Sequence, residues 1–145
     1  MAIEDDIALF ARVPTLNLLG MAALQVLAIG AEQRDYGFGE RLFEEGEAAD
    51  SGYIVRHGAF RVASSDGTET VAGRDALIGE LALMAPIKRP ATATALEPSS
   101  VLRISRSLFL TLYIIYNVIQ PITNISSQNI QVDPKTAISF WCMGI

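Results

Sequence analysis

Residues 33–104 form a succession of short apolar runs separated by turns, and this pattern limits the fold more than any other feature of the chain. Glycines lie at the corners between the runs. Asp66-Gly67 is the strongest hairpin signal, because both residues tolerate a positive φ. Residues 91–95 alternate alanine with threonine, a period of two that is typical of a strand. Many short strands with glycine-rich corners favour an antiparallel jelly-roll β-barrel.

The segments on either side of this barrel have helical patterns. Asp5 and Asp6 can cap a first helix, which Pro14 breaks. Asn17 can cap a second helix that stops at Gly30. We therefore predict an α+β, mainly β fold in which helices flank the barrel at its N-terminal and C-terminal ends.

The C-terminal part gives a weaker signal. Ser105 or Ser107 can cap a helix, and residues 118–131 are a candidate for another helix, although β-branched residues and Pro121 count against it. We expect a single domain over residues 1–145, divided into a helical lead-in at 1–32, the barrel at 33–104, and C-terminal helices with a tail at 105–145.

Charge and composition limit the partners of the chain. Its 16 acidic and 11 basic residues give a formal net charge of -5. Broad affinity for nucleic acid or anionic lipid requires a basic field, so we expect neither nucleic acid nor membrane as a direct partner. The apolar runs are interrupted or shorter than the roughly 20 residues of a membrane-spanning helix. With no secretory signal in the sequence, we expect a cytoplasmic location.

Residues 79–92, the cassette loop, carry the chemistry. Gly79 allows the backbone to pass close to a ligand, and residues 80–83 can form one helical turn whose free N–H groups attract an anion. Arg89 offers a planar fork that matches two phosphate oxygens. Glu80 is an acceptor suited to a sugar hydroxyl. The spacing predicts a loop that contacts adjacent parts of one phosphorylated ligand.

Four segments resemble the cyclic nucleotide-binding domain family. Gly79-Glu80-Leu81-Ala82 together with Arg89-Pro90-Ala91-Thr92 resembles the family's phosphate-binding cassette. Residues 36–47 resemble its entry strand and glycine turn, residues 53–62 its central hairpin, and residues 102–109 its last strand and following helix. The resemblance extends over about residues 6–109 and is most specific within the cassette.

The resemblance implies a role for each residue of the cassette. Gly79, Leu81 and Ala82 would offer backbone N–H groups to the pocket. Glu80 would accept from the ribose 2′-hydroxyl, Arg89 would neutralise the cyclic phosphate, and a C-terminal lid helix would cover the base. The expected ligand-binding residues are Gly79, Glu80, Leu81, Ala82, Arg89, Pro90, Ala91 and Thr92.

Pro90 bears on both ligand identity and affinity. Family members that bind cGMP often have a threonine directly after the arginine, so Pro90 favours cAMP over cGMP. The resemblance also implies that the residue after the arginine donates its backbone N–H to the phosphate, and proline has no N–H to donate. The loss of one charge-assisted hydrogen bond costs roughly 1.5–3 kcal/mol, or about ten- to a hundredfold in affinity.

Other chemistry has less support in the sequence. A competing interpretation makes Arg89 a surface arginine paired with Glu97 or Glu80. His57 and Cys142 are the only histidine and cysteine, too few for a cupin-type metal site, a haem or an iron–sulfur cluster. We interpret His57 as a hairpin residue and Cys142 as a buried or incidental thiol. We expect no metal, no cofactor and no enzymatic activity.

The sequence therefore predicts a regulatory sensor that binds a cyclic nucleotide, cAMP rather than cGMP, without a fused DNA-binding or catalytic domain. It would act on an unidentified effector protein or by self-association. The alternative is a barrel that has lost affinity for nucleotide and serves as a protein-interaction module.

Overall fold

The structure, a computed structural model, describes residues 3–119 and 121–122. Its N-terminal part contains three helices: α1 (Ile3–Ala11), α2 (Pro14–Asn17) and α3 (Met21–Gly30). Pro14 begins α2, where its missing N–H costs little. Gly20, with φ of 87°, precedes α3, and Asn17 ends α2 instead of capping a longer helix as the sequence suggested.

Ten strands follow within the described residues. They are β1 (Glu32–Tyr36), β2 (Arg41–Phe43), β3 (Ala48–Ala49), β4 (Ser51–His57), β5 (Phe60–Ala63), β6 (Glu69–Ala72), β7 (Leu77–Ile78), β8 (Ile87–Lys88), β9 (Thr92–Ala95) and β10 (Ser99–Ser105). A short helix, α4 (Leu81–Met84), separates β7 from β8. After β10 come α5 (Arg106–Ile114) and a π-helical turn (Ile115–Ile119).

The strands form antiparallel sheets. One sheet has the order β1-β10-β4-β7, the other large sheet has the order β2-β9-β5-β6, and β3 pairs with β8. Gly67, with φ of 94°, forms the tight connection between β5 and β6 where the sequence predicted a hairpin turn. The predicted fold class, mainly β with flanking helices, is confirmed, although the strands divide into separate sheets and do not close one continuous barrel.

Two apolar cores lie on opposite faces of β4, because successive residues of a strand point to opposite sides. Tyr53 and Val55 face the core between the two large sheets, together with Phe60. Ile54 faces the helical core, which also contains Leu16 from α2. The helices thus cover one face of the β1-β10-β4-β7 sheet, while its other face forms the sandwich with the second sheet.

A buried ion pair fastens α1 to the sheet. Nη2 of Arg56 lies 3.2 Å from Oδ1 of Asp6, and the two side chains are only 7% and 14% exposed. Nη1 of Arg56 donates to Oε1 of Gln33 at 2.9 Å. Asp6 therefore lies within the first turn of α1 and pairs across to β4, which differs from the capping role that its position in the sequence suggested.

A serine side chain caps the start of the C-terminal helix α5. Oγ of Ser105 accepts a hydrogen bond from the amide of Leu108, so Ser105 is the cap of α5. Most of the weakly predicted helix at residues 118–131, and the whole segment from 123 to 145, lie outside the described residues. No helix in the described part of the chain is both long and apolar enough to span a bilayer.

Candidate ligand-binding site

The cassette loop begins where β7 turns into α4. Gly79 makes this turn with φ of 80°, a left-handed conformation that strongly favours glycine. α4 then forms the single helical turn expected from the sequence, with Glu80 at its N-terminal end. β8 follows and leads the chain to Arg89, which precedes β9. The cassette loop thus starts at Gly79 and returns to the sandwich just after Arg89.

Arg89 points into the molecule. Its side chain is only 4% exposed. The guanidinium carbon lies 4.1 Å from the centroid of the Phe43 ring, within the range of a cation–π contact. Nη2 donates to the carbonyl oxygen of Ser51 at 2.9 Å. The competing interpretation, in which Arg89 is a surface residue paired with Glu97 or Glu80, is therefore inconsistent with the structure.

The backbone of Arg89 is held as firmly as its side chain. Its amide donates to the carbonyl oxygen of Glu47 at 2.7 Å, and its own carbonyl accepts from the amide of Gly46 at 2.8 Å. Nearby, Oγ1 of Thr92 accepts from the amide of Glu45 at 2.9 Å. The turn at residues 44–47 therefore fixes the second half of the cassette loop.

Nη1 of Arg89 differs from Nη2 in its hydrogen bonding. It is buried, and within the described residues no hydrogen-bond acceptor reaches it. It lies against Gly79, only 2.5 Å from the position that a Cβ there would occupy. Burial lowers the pKa of the Arg89 guanidinium from its ordinary value, and attraction to Asp50 and Glu47 opposes the shift. Since arginine still keeps its proton, the site holds a buried positive charge with one donor group to spare.

A cleft of about 180 Å³ lies at this end of the sandwich. Its lining combines apolar side chains with two charged residues of the cassette loop, Glu80 and Arg89. The lining residues are Phe43, Val62, Ile78, Gly79, Glu80, Leu81, Ile87, Arg89, Pro90 and Ala91. An apolar cleft with a few convergent polar groups is the usual form of a small-molecule site. Across residues 3–119 and 121–122, no group of three or more His, Cys, Asp or Glu side chains is arranged to hold a metal ion.

Glu80 lines the cleft and also contacts the N-terminal helices. Its Oε1 accepts a hydrogen bond from Oγ1 of Thr15, a residue of α2 that lies 65 positions earlier in the chain. The Glu80 side chain is otherwise exposed. A carboxylate can accept several hydrogen bonds, so this contact leaves Glu80 able to accept from a ligand hydroxyl.

The cleft lies within a segment that matches a known domain. The family model for the cyclic nucleotide-binding domain matches residues 33–116, more than half of the chain. The chain belongs to the cyclic nucleotide-binding domain family. This family consists of regulatory, non-catalytic domains that bind a cyclic nucleotide. The resemblance inferred from the cassette, the entry strand and the central hairpin is therefore confirmed.

Solved structures of cyclic nucleotide-binding domains and related sensors share the fold. A cyclic nucleotide-binding-like protein from Brucella abortus is 34% identical, with 74% of this chain and 97% of that chain aligned and a TM-score of 0.66. The sensor domain of the transcriptional regulator DNR from Pseudomonas aeruginosa is 20% identical, with coverages of 87% and 89% and a TM-score of 0.68. The regulatory subunit of a cAMP-independent protein kinase A from Trypanosoma brucei is 21% identical, with coverages of 88% and 48% and a TM-score of 0.67. Among curated proteins there is no significant match.

The cassette loop brings together most of the residues predicted from the sequence. Gly79, Glu80, Arg89, Pro90 and Ala91 line the cleft, as does Leu81.

Two members of the predicted set are engaged elsewhere. Ala82 is completely buried, and its amide, which the resemblance assigned to the ligand, donates to the carbonyl oxygen of Gly79 at 3.1 Å. Thr92 supports the turn at residues 44–47 through its hydroxyl.

Three further residues of the site were not found from the sequence. Ser51 and Phe43 hold Arg89, and Thr15 holds Glu80. Phe43 was recognised only as part of the entry strand. Thr15 lies between the two N-terminal helices predicted from the sequence, and its partner lies 65 residues away. No local pattern could have revealed either the Ser51 or the Thr15 contact.

Proposed function

We propose that this domain is a regulatory sensor that binds cAMP in the cleft beside Arg89. The cyclic phosphate would sit against the Arg89 guanidinium and the backbone at Gly79. Glu80 would accept from the ribose 2′-hydroxyl, and the base would extend away from the sandwich. The ligand would then shift the balance between two arrangements of the flanking helices.

The observation that carries this proposal is the unpartnered Nη1 of Arg89. A buried charged donor without an acceptor is costly and uncommon in folded proteins, and the oxygen of an incoming phosphate would supply the missing acceptor. Ser51 and Phe43 already fix the guanidinium, and this geometry suits an incoming phosphate because little ordering remains to be done on binding. Charge-assisted hydrogen bonds to phosphate are among the strongest polar contacts available to a protein.

The preference for cAMP rests on Pro90. This residue lines the cleft directly after Arg89 and carries no hydroxyl that could meet a guanine amino group. Its lack of an N–H also predicts an affinity below that of a cassette with a complete set of amides.

Calorimetric titration with cAMP and with cGMP tests the proposal. We expect saturable binding of cAMP, weaker binding of cGMP, and a roughly hundredfold loss of cAMP affinity in Arg89→Met, which keeps most of the side-chain volume but removes the charge. Arg61→Met is the matched control, because Arg61 is half-exposed on β5 and pairs with Glu69 outside the cleft. Circular dichroism establishes that both variants fold. The proposal fails if the native chain does not bind at millimolar cAMP, or if Arg89→Met binds as tightly as the native chain.

A second candidate function is a protein-interaction module that no longer binds nucleotide. The exposure of Leu81 and Met84, which are 66% and 48% accessible on α4, favours it, because apolar residues on the rim of the cleft can contact another protein. The fold match to a kinase subunit described as cAMP-independent agrees with this possibility. A native chain that fails to bind either nucleotide, yet associates with itself or with a partner through α4, would favour this function.

The mode of action also belongs to the proposal. We infer an output through an effector protein or self-association, in the cytoplasm, without catalysis and without direct contact with nucleic acid or membrane. The net charge of -5 supports the absence of contact with nucleic acid and with membrane, since neither an anionic nucleic acid nor an anionic membrane attracts an acidic protein.

A further inference from the structure

We propose that the N-terminal helices form part of the ligand-binding site, with Thr15 as a positioning residue that holds Glu80 ready for the sugar hydroxyl. This inference rests on the proposed function, because it assigns the partner of a residue in the same cleft. Thr15 lies outside residues 33–116, the segment that matches the family model. It therefore adds a contribution from outside the matched domain.

Two contacts attach the N-terminal helices to the start of the cassette loop. Thr15 donates to Oε1 of Glu80, and Arg12 forms a two-pronged ion pair with Asp75. Nε and Nη2 of Arg12 lie 3.1 and 3.2 Å from the two carboxylate oxygens of Asp75. Asp75 lies before β7, and Glu80 follows Gly79, the residue directly after β7. The two contacts therefore hold both ends of this short strand.

Buried side chains fix the N-terminal segment that donates these hydrogen bonds. Leu16, next to Thr15, is completely buried in the helical core, and Leu19 is 3% exposed. The Thr15 hydroxyl therefore keeps a fixed position relative to the sheet that α2 covers. On the other side, Asp75 adopts φ of 74°, unusual for a residue other than glycine, and its amide donates to the carbonyl oxygen of Val55 at 2.9 Å.

Glu80 is an exposed side chain, and in the described part of the chain Thr15 is its side-chain hydrogen-bond partner. An exposed glutamate samples many conformations in solution, and a ligand that requires one of them must pay the entropy of selecting it. The bond to Thr15 selects a conformation in which Glu80 already lines the cleft. Thr15 uses Oε1, and Oε2 can accept from the 2′-hydroxyl.

The decisive variant is Thr15→Val, which keeps the shape of the side chain and removes its hydroxyl. Calorimetry compares its affinities for cAMP and 2′-deoxy-cAMP with those of the native chain. We expect cAMP binding to weaken about five- to tenfold, because the lost hydrogen bond positions Glu80 without touching the ligand, while binding of 2′-deoxy-cAMP changes less than about twofold. Thr15→Ser keeps the hydroxyl and should retain native affinity for cAMP. Thr70→Val, an exposed threonine of β6, is the matched control.

Two results would overturn the inference. Tighter or unchanged binding of cAMP to Thr15→Val would mean that Thr15 competes with the ligand or is irrelevant to it. An equal loss for both nucleotides would mean that Thr15 only supports the fold.

A second measurement separates this inference from the proposed function, because it uses the protein without nucleotide. Hydrogen–deuterium exchange follows the amides of residues 79–83 in the native chain, Thr15→Val and Thr70→Val. We expect exchange there to rise about threefold or more in Thr15→Val alone, with the hairpin of β5 and β6 unaffected. If the native chain binds no cyclic nucleotide, the proposed function fails while the exchange result still reports on positioning. Unchanged exchange in the cassette would overturn the inference whatever the affinities are.

Discussion

Gly79, at the start of the cassette loop, and Arg89, near its end, lie against each other. Nη1 of Arg89 lies 2.5 Å from the point at which a Cβ at position 79 would stand, closer than any real side chain could approach. The glycine is needed twice, for its left-handed backbone and for the space that the guanidinium occupies. The identity of residue 79 therefore determines whether Arg89 can remain in the cleft.

Gly79→Ala should destabilise the fold and abolish nucleotide binding. The left-handed conformation costs an alanine about 1–2 kcal/mol, and the displaced Arg89 loses its bond to Ser51, worth about 1 kcal/mol more. Chemical unfolding measures the loss of stability, and calorimetry measures the loss of nucleotide binding. Gly67→Ala is the matched control, because Gly67 also has a positive φ, of 94°, but open space around it. Equal unfolding free energies for the two variants would contradict the role assigned to the contact.

Asp6→Asn should destabilise the fold without touching the cleft. It leaves the buried Arg56 charge without its ion-pair partner. Loss of one partner from a fully buried pair costs 3–5 kcal/mol, and we expect about 2–3 kcal/mol here because Asp6 is partly accessible to water. Asp5→Asn, at the exposed neighbouring position, should change the unfolding free energy by less than about 0.5 kcal/mol. Similar values for the two variants would show that the ion pair contributes little.

Asp66 should show an unusually low pKa in the hairpin turn. Its carboxylate accepts hydrogen bonds from the Ser64 hydroxyl and from the Thr68 amide, which lower its pKa from 3.8 to about 2. Because the folded value is depressed, the ionised carboxylate stabilises the fold above pH 3.8, and this contribution disappears as the pH falls through about 2. An NMR titration of the Asp66 carboxyl carbon measures the midpoint, and Ser64→Ala should raise it. A native midpoint near 3.8 would contradict the hydrogen bonding described.

Ser105→Ala should weaken the start of α5. Oγ of Ser105 accepts from the amide of Leu108 at 3.2 Å, and loss of such a cap typically costs about 1 kcal/mol. Thermal unfolding measures the loss. Ser107→Ala is the control, since the sequence offered Ser107 as an equal candidate for the cap and the structure places it inside the helix. A larger effect at Ser107 than at Ser105 would reverse the assignment.

The parts of the fold that depend on local chemistry could be predicted from the sequence. The hairpin at Gly67 and the short helical turn after Gly79 both follow from residues next to one another in the chain. The cassette could be placed for the same reason, because its glycine and arginine have a fixed spacing within one loop.

Contacts between distant parts of the chain could not be predicted in this way. Asp5 and Asp6 both suggested a helix cap, and nothing local indicated that Asp6 pairs with an arginine 50 residues later. The amide of Ala82 was assigned to the ligand because the sequence cannot show which amides the helical turn itself uses. The burial of Arg89 depends on Phe43 and Ser51, which come from two other strands.

Because Arg89 is buried, dissolved salt should affect the association rate of a nucleotide and its residence time differently. An anion approaching a chain of net charge -5 meets long-range repulsion, which dissolved salt screens. Once inside, it would face a guanidinium that is only 4% accessible, where salt screens far less. Increasing ionic strength should therefore accelerate association and leave the residence time almost unchanged.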